Sequence, residues 1–127
     1  MQAPKIVAYY ALVLAVMFVV LTIRVIKARY RAKASLGDGG DERLTRAIRV
    51  HGNFAEFVPF CLLLIALAEI NGSPPWSIHV LGSVLVLVRL SHAHGLTTGV
   101  LKFRQVGVIG TFIVLVGAAL HAVIGGG

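Results

Sequence analysis

The sequence predicts an all-α integral membrane protein, a single domain built as a four-helix bundle. Three observations predict it. The chain of 127 residues is 57% hydrophobic, with a mean hydropathy of +0.88. It carries a net charge of +7 with only five acidic residues, a balance unlike that of an ordinary soluble domain. Four apolar segments stand between polar connections, and a transmembrane helix needs about 20 such residues to cross roughly 30 Å of hydrocarbon.

The first span is placed at about residues 5–27, since Ile6 to Ile23 contains no charge. It is too long, and too basic on its far side, for a cleaved leader. The helix is expected to run on through "RVIKARYRAKASL", which has no breaker, and to stop at the glycine cluster Gly37 to Gly40. That cluster lacks the lysine and hydroxyl of a phosphate loop, so it reads as a flexible connection. Asp41 is the expected N-cap of a second helix, whose membrane part is placed at about residues 50–71. Pro59 removes one backbone donor there, and a local kink is expected.

"NGSPPW" is a tight turn with Trp76 at headgroup level. The third span is placed at about residues 76–94, with Gly95 ending it, and "LTTGVLKFRQ" is the next loop. The fourth span, about residues 105–124, closes the chain in a glycine-rich tail. Lys27, Arg29, Arg31, Lys33, Arg43, Arg46 and Arg49 crowd the first connection, Lys102 and Arg104 the third, and the second has none. The positive-inside rule therefore puts both basic connections in the cytoplasm and both termini outside. Topology and anionic lipid headgroups account for the basic balance. No interleaving of aromatic and basic residues points to nucleic acid.

The second helix enters the membrane through "RAIRVHGNFAEF". At about 100° per residue, Arg46, Arg49, Asn53, Glu56 and Phe57 share an arc of roughly 100°, with His51 off it. Charged groups at membrane depth cost several kcal/mol unless paired or hydrated, so Glu56 is expected to point inward, near an arginine. One reading is a structural ion pair between Arg49 and Glu56. The other adds Arg89 and His92, which share a face of span three, and Arg104 just beyond. Two helices then supply polar stripes at one depth, lining a cavity suited to a small anion with several carboxylates.

Five histidines raise the question of a metal. His92 and His94 lie about 200° apart on a helix, His79 and His121 belong near the opposite end, and no cysteine or carboxylate cluster completes a set, so no metal site is expected. The one cysteine, Cys61, sits inside a span and reads as a packed, inert thiol.

"ERLTRAIRVHGNFAEFVPF" resembles the second-helix signature of the MAPEG family, the membrane-associated proteins in eicosanoid and glutathione metabolism. "GDGGDERLTRAIRVHGNFAEFVP" looks especially like the bacterial inner-membrane branch, and "RLSHAHG" in span three extends the resemblance over nearly the whole chain. The resemblance implies a homotrimer with glutathione as co-substrate, bound between subunits on the cytoplasmic side, and a lipophilic electrophile or hydroperoxide arriving from the membrane. Carried over by position, Arg49, Asn53 and Glu56 match residues that hold glutathione, with Glu56 suited to its amino group and the arginine to a carboxylate. Arg46 matches a further basic position of some branches, and Arg89 and His92 align with an arginine and a tyrosine of the leukotriene-C synthase pattern. Arg104 is the nearest counterpart of the arginine that stabilises the thiolate, one residue out of register, with Arg89 second.

Two tyrosine positions of the family are Phe57 and Leu96 here, which implies two fewer phenolic hydrogen bonds to glutathione. The implied activity is a glutathione-dependent membrane transferase or peroxidase of detoxifying type. The alternatives are a non-catalytic protein of the same fold that binds a thiol or lipid, and a small proton-coupled exporter working through Glu56.

Overall fold

The protein is described by a computed structural model covering residues 2–125. Four helices follow one another: α1 (Lys5–Ala32), α2 (Glu42–Ile70), α3 (Pro75–Thr98) and α4 (Leu101–Ile124). All four are long and apolar enough to cross a membrane, and helices satisfy their own backbone groups where no water can. The chain is thus the all-α four-helix membrane bundle that its composition requires. Every pair of helices is in contact except α1 and α4. The core is a column of tightly packed side chains, among them Leu14, Phe54, Val58, Cys61, Ile65, Leu85 and Val114. Outward-facing residues such as Leu12, Phe60, Leu87 and Ile113 remain apolar and exposed, as expected of a surface solvated by lipid tails.

Local chemistry sets the helix ends. Asp41 caps α2, its side chain accepting the Leu44 N–H at 2.8 Å, which satisfies an otherwise orphaned donor. α1 ends earlier than the glycine cluster: Ala32 is its last residue and Lys33 adopts a left-handed conformation (φ 54°). The reason is Arg29, whose guanidinium donates to the carbonyls of Ala34 (3.2 Å) and Gly37 (2.7 Å), folding the chain back before the glycines are reached. α2 passes through Pro59 as one continuous helix.

The largest departure is at the α3–α4 connection. Gly95 does not end α3; the helix continues to Thr98, α4 starts at Leu101, and the expected loop shrinks to Gly99 and Val100. Gly99 makes the turn with φ 78°, a conformation that glycine adopts without steric cost. Gly95 instead serves a close approach: a Cβ there would collide with the backbone of Phe103 and Arg104. Gly107 and Gly110 do the same against His92 and Val88. Small residues at a helix contact let backbones approach where lipid supplies no hydrophobic drive to pack.

At the other end, the Asn71–Pro74 turn ties both ends of the chain together. The Gln2 N–H donates to the Ile70 carbonyl at 2.9 Å, and the Asn71 side chain donates to the Ala122 carbonyl at 2.8 Å. Glu69, 3% exposed, accepts the N–H groups of Ile6 (2.8 Å) and Val7 (2.9 Å). A carboxylate from α2 thereby caps the first turn of α1, where the helix dipole favours negative charge. Both basic connections therefore lie at one end of the bundle and both termini at the other.

Candidate functional site

Three helices bring polar side chains to one cavity of about 320 Å³ near the end with the basic connections. α2 contributes Arg49, Asn53 and Glu56, at i, i+4 and i+7 on one face. α3 contributes His92 and Leu96, and α4 contributes Arg104. Gly52 leaves open space beside them, since no described atom beyond its chain neighbours and its own helix backbone lies within 4 Å of where its Cβ would be. Five of the seven sequence-predicted residues thus share one wall.

Arg89 and Arg46 do not line this cavity. Arg89 is 1% exposed and stands behind the wall. Its Nη1 donates to Asn53 Oδ1 at 2.8 Å and to Thr111 Oγ1 at 3.3 Å, its Nη2 donates to His92 Nδ1 at 3.3 Å, and its guanidinium lies 5.6 Å from the centroid of the Phe54 ring. Direct contact between Arg89 and a thiolate in the cavity, the second choice for that role, is not what this placement offers. The reason is packing: residue 89 falls on the face of α3 that meets α2 and α4. Arg46 turns toward the loop, pairs with Glu42 at 2.6 Å, and lines a smaller cavity of about 160 Å³ that also holds Arg104.

Burial of Arg89 decides what its neighbours can offer. Because Asn53 Oδ1 accepts from Arg89, the Asn53 amide is oriented with its NH₂ group left as donor. Because His92 Nδ1 accepts from Arg89, the ring proton is assigned to Nε2, which makes no hydrogen bond among the described residues. The wall therefore presents an amide N–H, an imidazole N–H and two guanidinium groups as donors, with Glu56 as the acceptor. Such a set complements a small anion that carries carboxylates and one amino group.

Glu56 corrects one expectation. It is exposed within the single chain, and the one salt bridge among the described residues is Arg46–Glu42. The Arg49–Glu56 ion pair of the first reading is not formed among the described residues; both side chains are exposed and line the cavity with Arg104. Phe57 packs edge-on against Phe112 at 5.5 Å between centroids, and Leu96 is buried at the cavity wall. No phenol takes the place of either.

The remaining histidines are spread out. His51 bonds Thr22 Oγ1 at 3.0 Å and stacks on Phe18; His79 bonds Tyr10 at 2.7 Å; His94 packs on Phe103. Among the described residues no group of three or more His, Cys, Asp or Glu side chains converges as a metal ligand set would. Sequence reasoning missed Phe54 and Thr111 as partners of Arg89. It also missed the caps made by Arg29 and Glu69. The only sequence signals were a lone threonine and a lone glutamate within apolar runs, each too weak to name its partner.

The family pattern described as MAPEG family matches residues 7–124 of the chain. Inner membrane protein YecN of Escherichia coli strain K12 is 33% identical over 108 residues, which cover 85% of this chain and 82% of that protein. The same figures hold for inner membrane protein YecN of Escherichia coli O6:H1. No solved structure matches.

Proposed function

The chain belongs to the MAPEG family, and from that premise we propose that it is a glutathione-dependent transferase or peroxidase of the bacterial inner membrane. The observation that carries the reading is the donor-rich cavity with one carboxylate, Glu56, between Arg49, Arg104, Asn53 and His92. Glutathione carries two carboxylates, one ammonium and a thiol. Arg49 and the Asn53 amide suit a carboxylate, Glu56 suits the ammonium, and Arg104 suits the sulfur. A volume of about 320 Å³ is at the small end of ligand sites, which run from about 300 Å³.

Glutathione supplies the nucleophilic thiol, and the chain's residues favour its ionised form. A guanidinium beside the sulfur stabilises thiolate over thiol. Lowering the thiol pKa by about two would take roughly 2.7 kcal/mol of differential stabilisation, within reach of an arginine in a partly dry site. The thiol proton leaves to water, and the thiolate forms a C–S bond as the electrophile's leaving group departs or its epoxide opens. With a hydroperoxide, the thiolate attacks oxygen, the O–O bond breaks to give an alcohol, and a second glutathione completes the disulfide with release of water. The lipophilic partner comes from the membrane along exposed apolar faces of the bundle.

The homotrimer belongs to the same proposal. Arg49, Glu56 and Arg104 are exposed in one chain, yet α2 and α4 carry exposed Phe60, Val106 and Ile109 alongside them. Polar groups at membrane depth normally face a bundle interior or a water-filled cavity. Neighbouring copies covering this face would complete the site. The basic end faces the cytoplasm in this reading, with both termini in the periplasm.

A second reading, a non-catalytic thiol-binding protein of the same fold, is favoured by Phe57 and Leu96, which leave the cavity without a phenolic donor. A glutathione titration followed by calorimetry and by ultraviolet thiolate absorbance separates the two. The enzyme reading expects saturable binding with a thiolate signal, binding lost in Arg49→Ala and the signal alone lost in Arg104→Ala. Binding without thiolate selects the second reading, and no binding removes both.

A further inference from the structure

A second, larger cavity of about 540 Å³ opens between α1, α2 and the end of α3. Its lining includes Arg24, Lys27 and Arg31 from α1, and Arg43 and Arg46 from α2. The first three recur at i, i+3 and i+7, the last two at i and i+3, so each helix turns a cationic stripe toward the other. No acidic residue lines the cavity. The nearby acids are already engaged: Glu42 holds Arg46, Asp41 caps α2, and Asp38 accepts from Gly40 and Thr45. Arg24, Lys27, Arg31 and Arg43 have no ion-pair partner among the described residues. Four uncompensated cations around one concavity repel one another, and an anion would relieve that repulsion.

The floor is different in kind. Leu21 and Val50, both buried, line it together with Ala28 and Ala47, whose side chains are short. Along α1 Arg24 and Lys27 stand at the same height as exposed Ile23 and Ile26, so charge and apolar surface meet at one level of the helix. An apolar floor with a cationic rim at that level fits a phosphate group attached to hydrocarbon better than a fully hydrated ion. Guanidinium groups bind phosphate oxygens in pairs, and basic pockets between membrane helices are suited to anionic headgroups.

We propose that this cavity is a binding site for a phosphate-bearing anion, filled in the membrane by the headgroup of an anionic phospholipid. It shares no arginine with the wall formed by Arg49, Asn53, Glu56, His92 and Arg104, and does not depend on the glutathione reading. Four free cations favour a headgroup with two phosphates over one with a single charge.

Native mass spectrometry of the purified protein tests the proposal, with cardiolipin and phosphatidylcholine of matched chains as probes. Glycerol phosphate and pyrophosphate serve as soluble competitors. The wild type is expected to retain cardiolipin about tenfold better than phosphatidylcholine, equivalent to about 1.4 kcal/mol. The combined variant Arg24→Gln, Lys27→Gln, Arg31→Gln and Arg43→Gln loses that preference. All four side chains are exposed, so the fold is retained, which circular dichroism checks. The double variant Lys33→Gln and Lys102→Gln, outside the cavity, keeps the preference. Displacement of cardiolipin by the soluble phosphates at equal concentration supports the phosphate site and reassigns its occupant to a free phosphate. An undiminished preference in the fourfold variant, or an absent one in the wild type together with no binding of either soluble phosphate, overturns the site.

Discussion

Arg89 shows how a single buried residue sets the chemistry of groups it does not share a cavity with. Its guanidinium fixes the Asn53 oxygen at 2.8 Å and the His92 Nδ1 at 3.3 Å, so both neighbours turn donors outward. As a positioning residue it has a distinct expected signature. On the proposed glutathione reading, Arg89→Met should weaken glutathione binding about tenfold, or about 1.4 kcal/mol, because Asn53 loses its orientation; calorimetry reads this. Removing Arg89 leaves Asn53 Oδ1 and His92 Nδ1 without their donor. It also relieves the desolvation of a buried guanidinium whose Nε has no partner among the described residues, so the melting temperature should move less than in Glu69→Ala. Glu69→Ala removes two carboxylate hydrogen bonds at the start of α1 and should destabilise the protein by about 2–4 kcal/mol. Thermal unfolding of the two variants side by side checks the contrast. The stripe of Arg49, Asn53 and Glu56 was legible in the sequence because helical spacing alone puts those residues on one face. The role of Arg89 was not, since two of its hydrogen-bond partners, Asn53 and Thr111, lie 36 and 22 residues away on other helices.

Among the elements, α3 and α4 are joined by glycine. Gly95→Ala and Gly107→Ala each place a methyl group against backbone of the facing helix. Overpacking of this kind costs typically about 1–3 kcal/mol. Both variants should melt earlier, and Gly107→Ala should also disturb His92, against which that methyl would press; on the proposed glutathione reading this brings a loss of glutathione affinity that Gly95→Ala need not share. Sequence reasoning read Gly95 as a helix end because glycine so often stops helices; only the proximity of α4 distinguishes a stop from a contact. The α1–α2 connection carries its own expectation. The Gly40 N–H, and then the Thr45 hydroxyl, hold the Asp38 carboxyl below the usual carboxylate range. A carboxyl with a lowered folded-state pKa stabilises the turn above its ordinary value and loses that contribution as pH falls through the lowered one. Amide exchange at Gly40 should therefore show protection at neutral pH that disappears on acidification, and Asp38→Asn should flatten this pH dependence.

For the molecule as a whole, the distribution of charge is the informative feature. Four of the five acidic residues are tied into hydrogen bonds or an ion pair; Glu56 remains, exposed beside Arg49 and Arg104. In the trimeric reading a neighbouring copy covers this face, and glutathione binding belongs to the assembly. Dilution into a detergent that dissociates the protein to single chains should then abolish binding while circular dichroism stays helical, and analytical ultracentrifugation follows the mass in parallel. Retained affinity in single chains would assign the whole site to one subunit.

The sequence by itself determined the four membrane-compatible helices, the end of the bundle that gathers the basic connections, and the polar stripe on α2. Those features depend on composition and on periodicity within one segment, so neighbours in the chain are enough to specify them. The tertiary structure alone decided that Arg89 stands behind the cavity, that Gly95 joins two helices, that Glu69 caps α1, and that cations from α1 and α2 face one another across a cavity. Each of these depends on which helix lies opposite and how closely its backbone approaches, and helical periodicity specifies a face without specifying what packs against it.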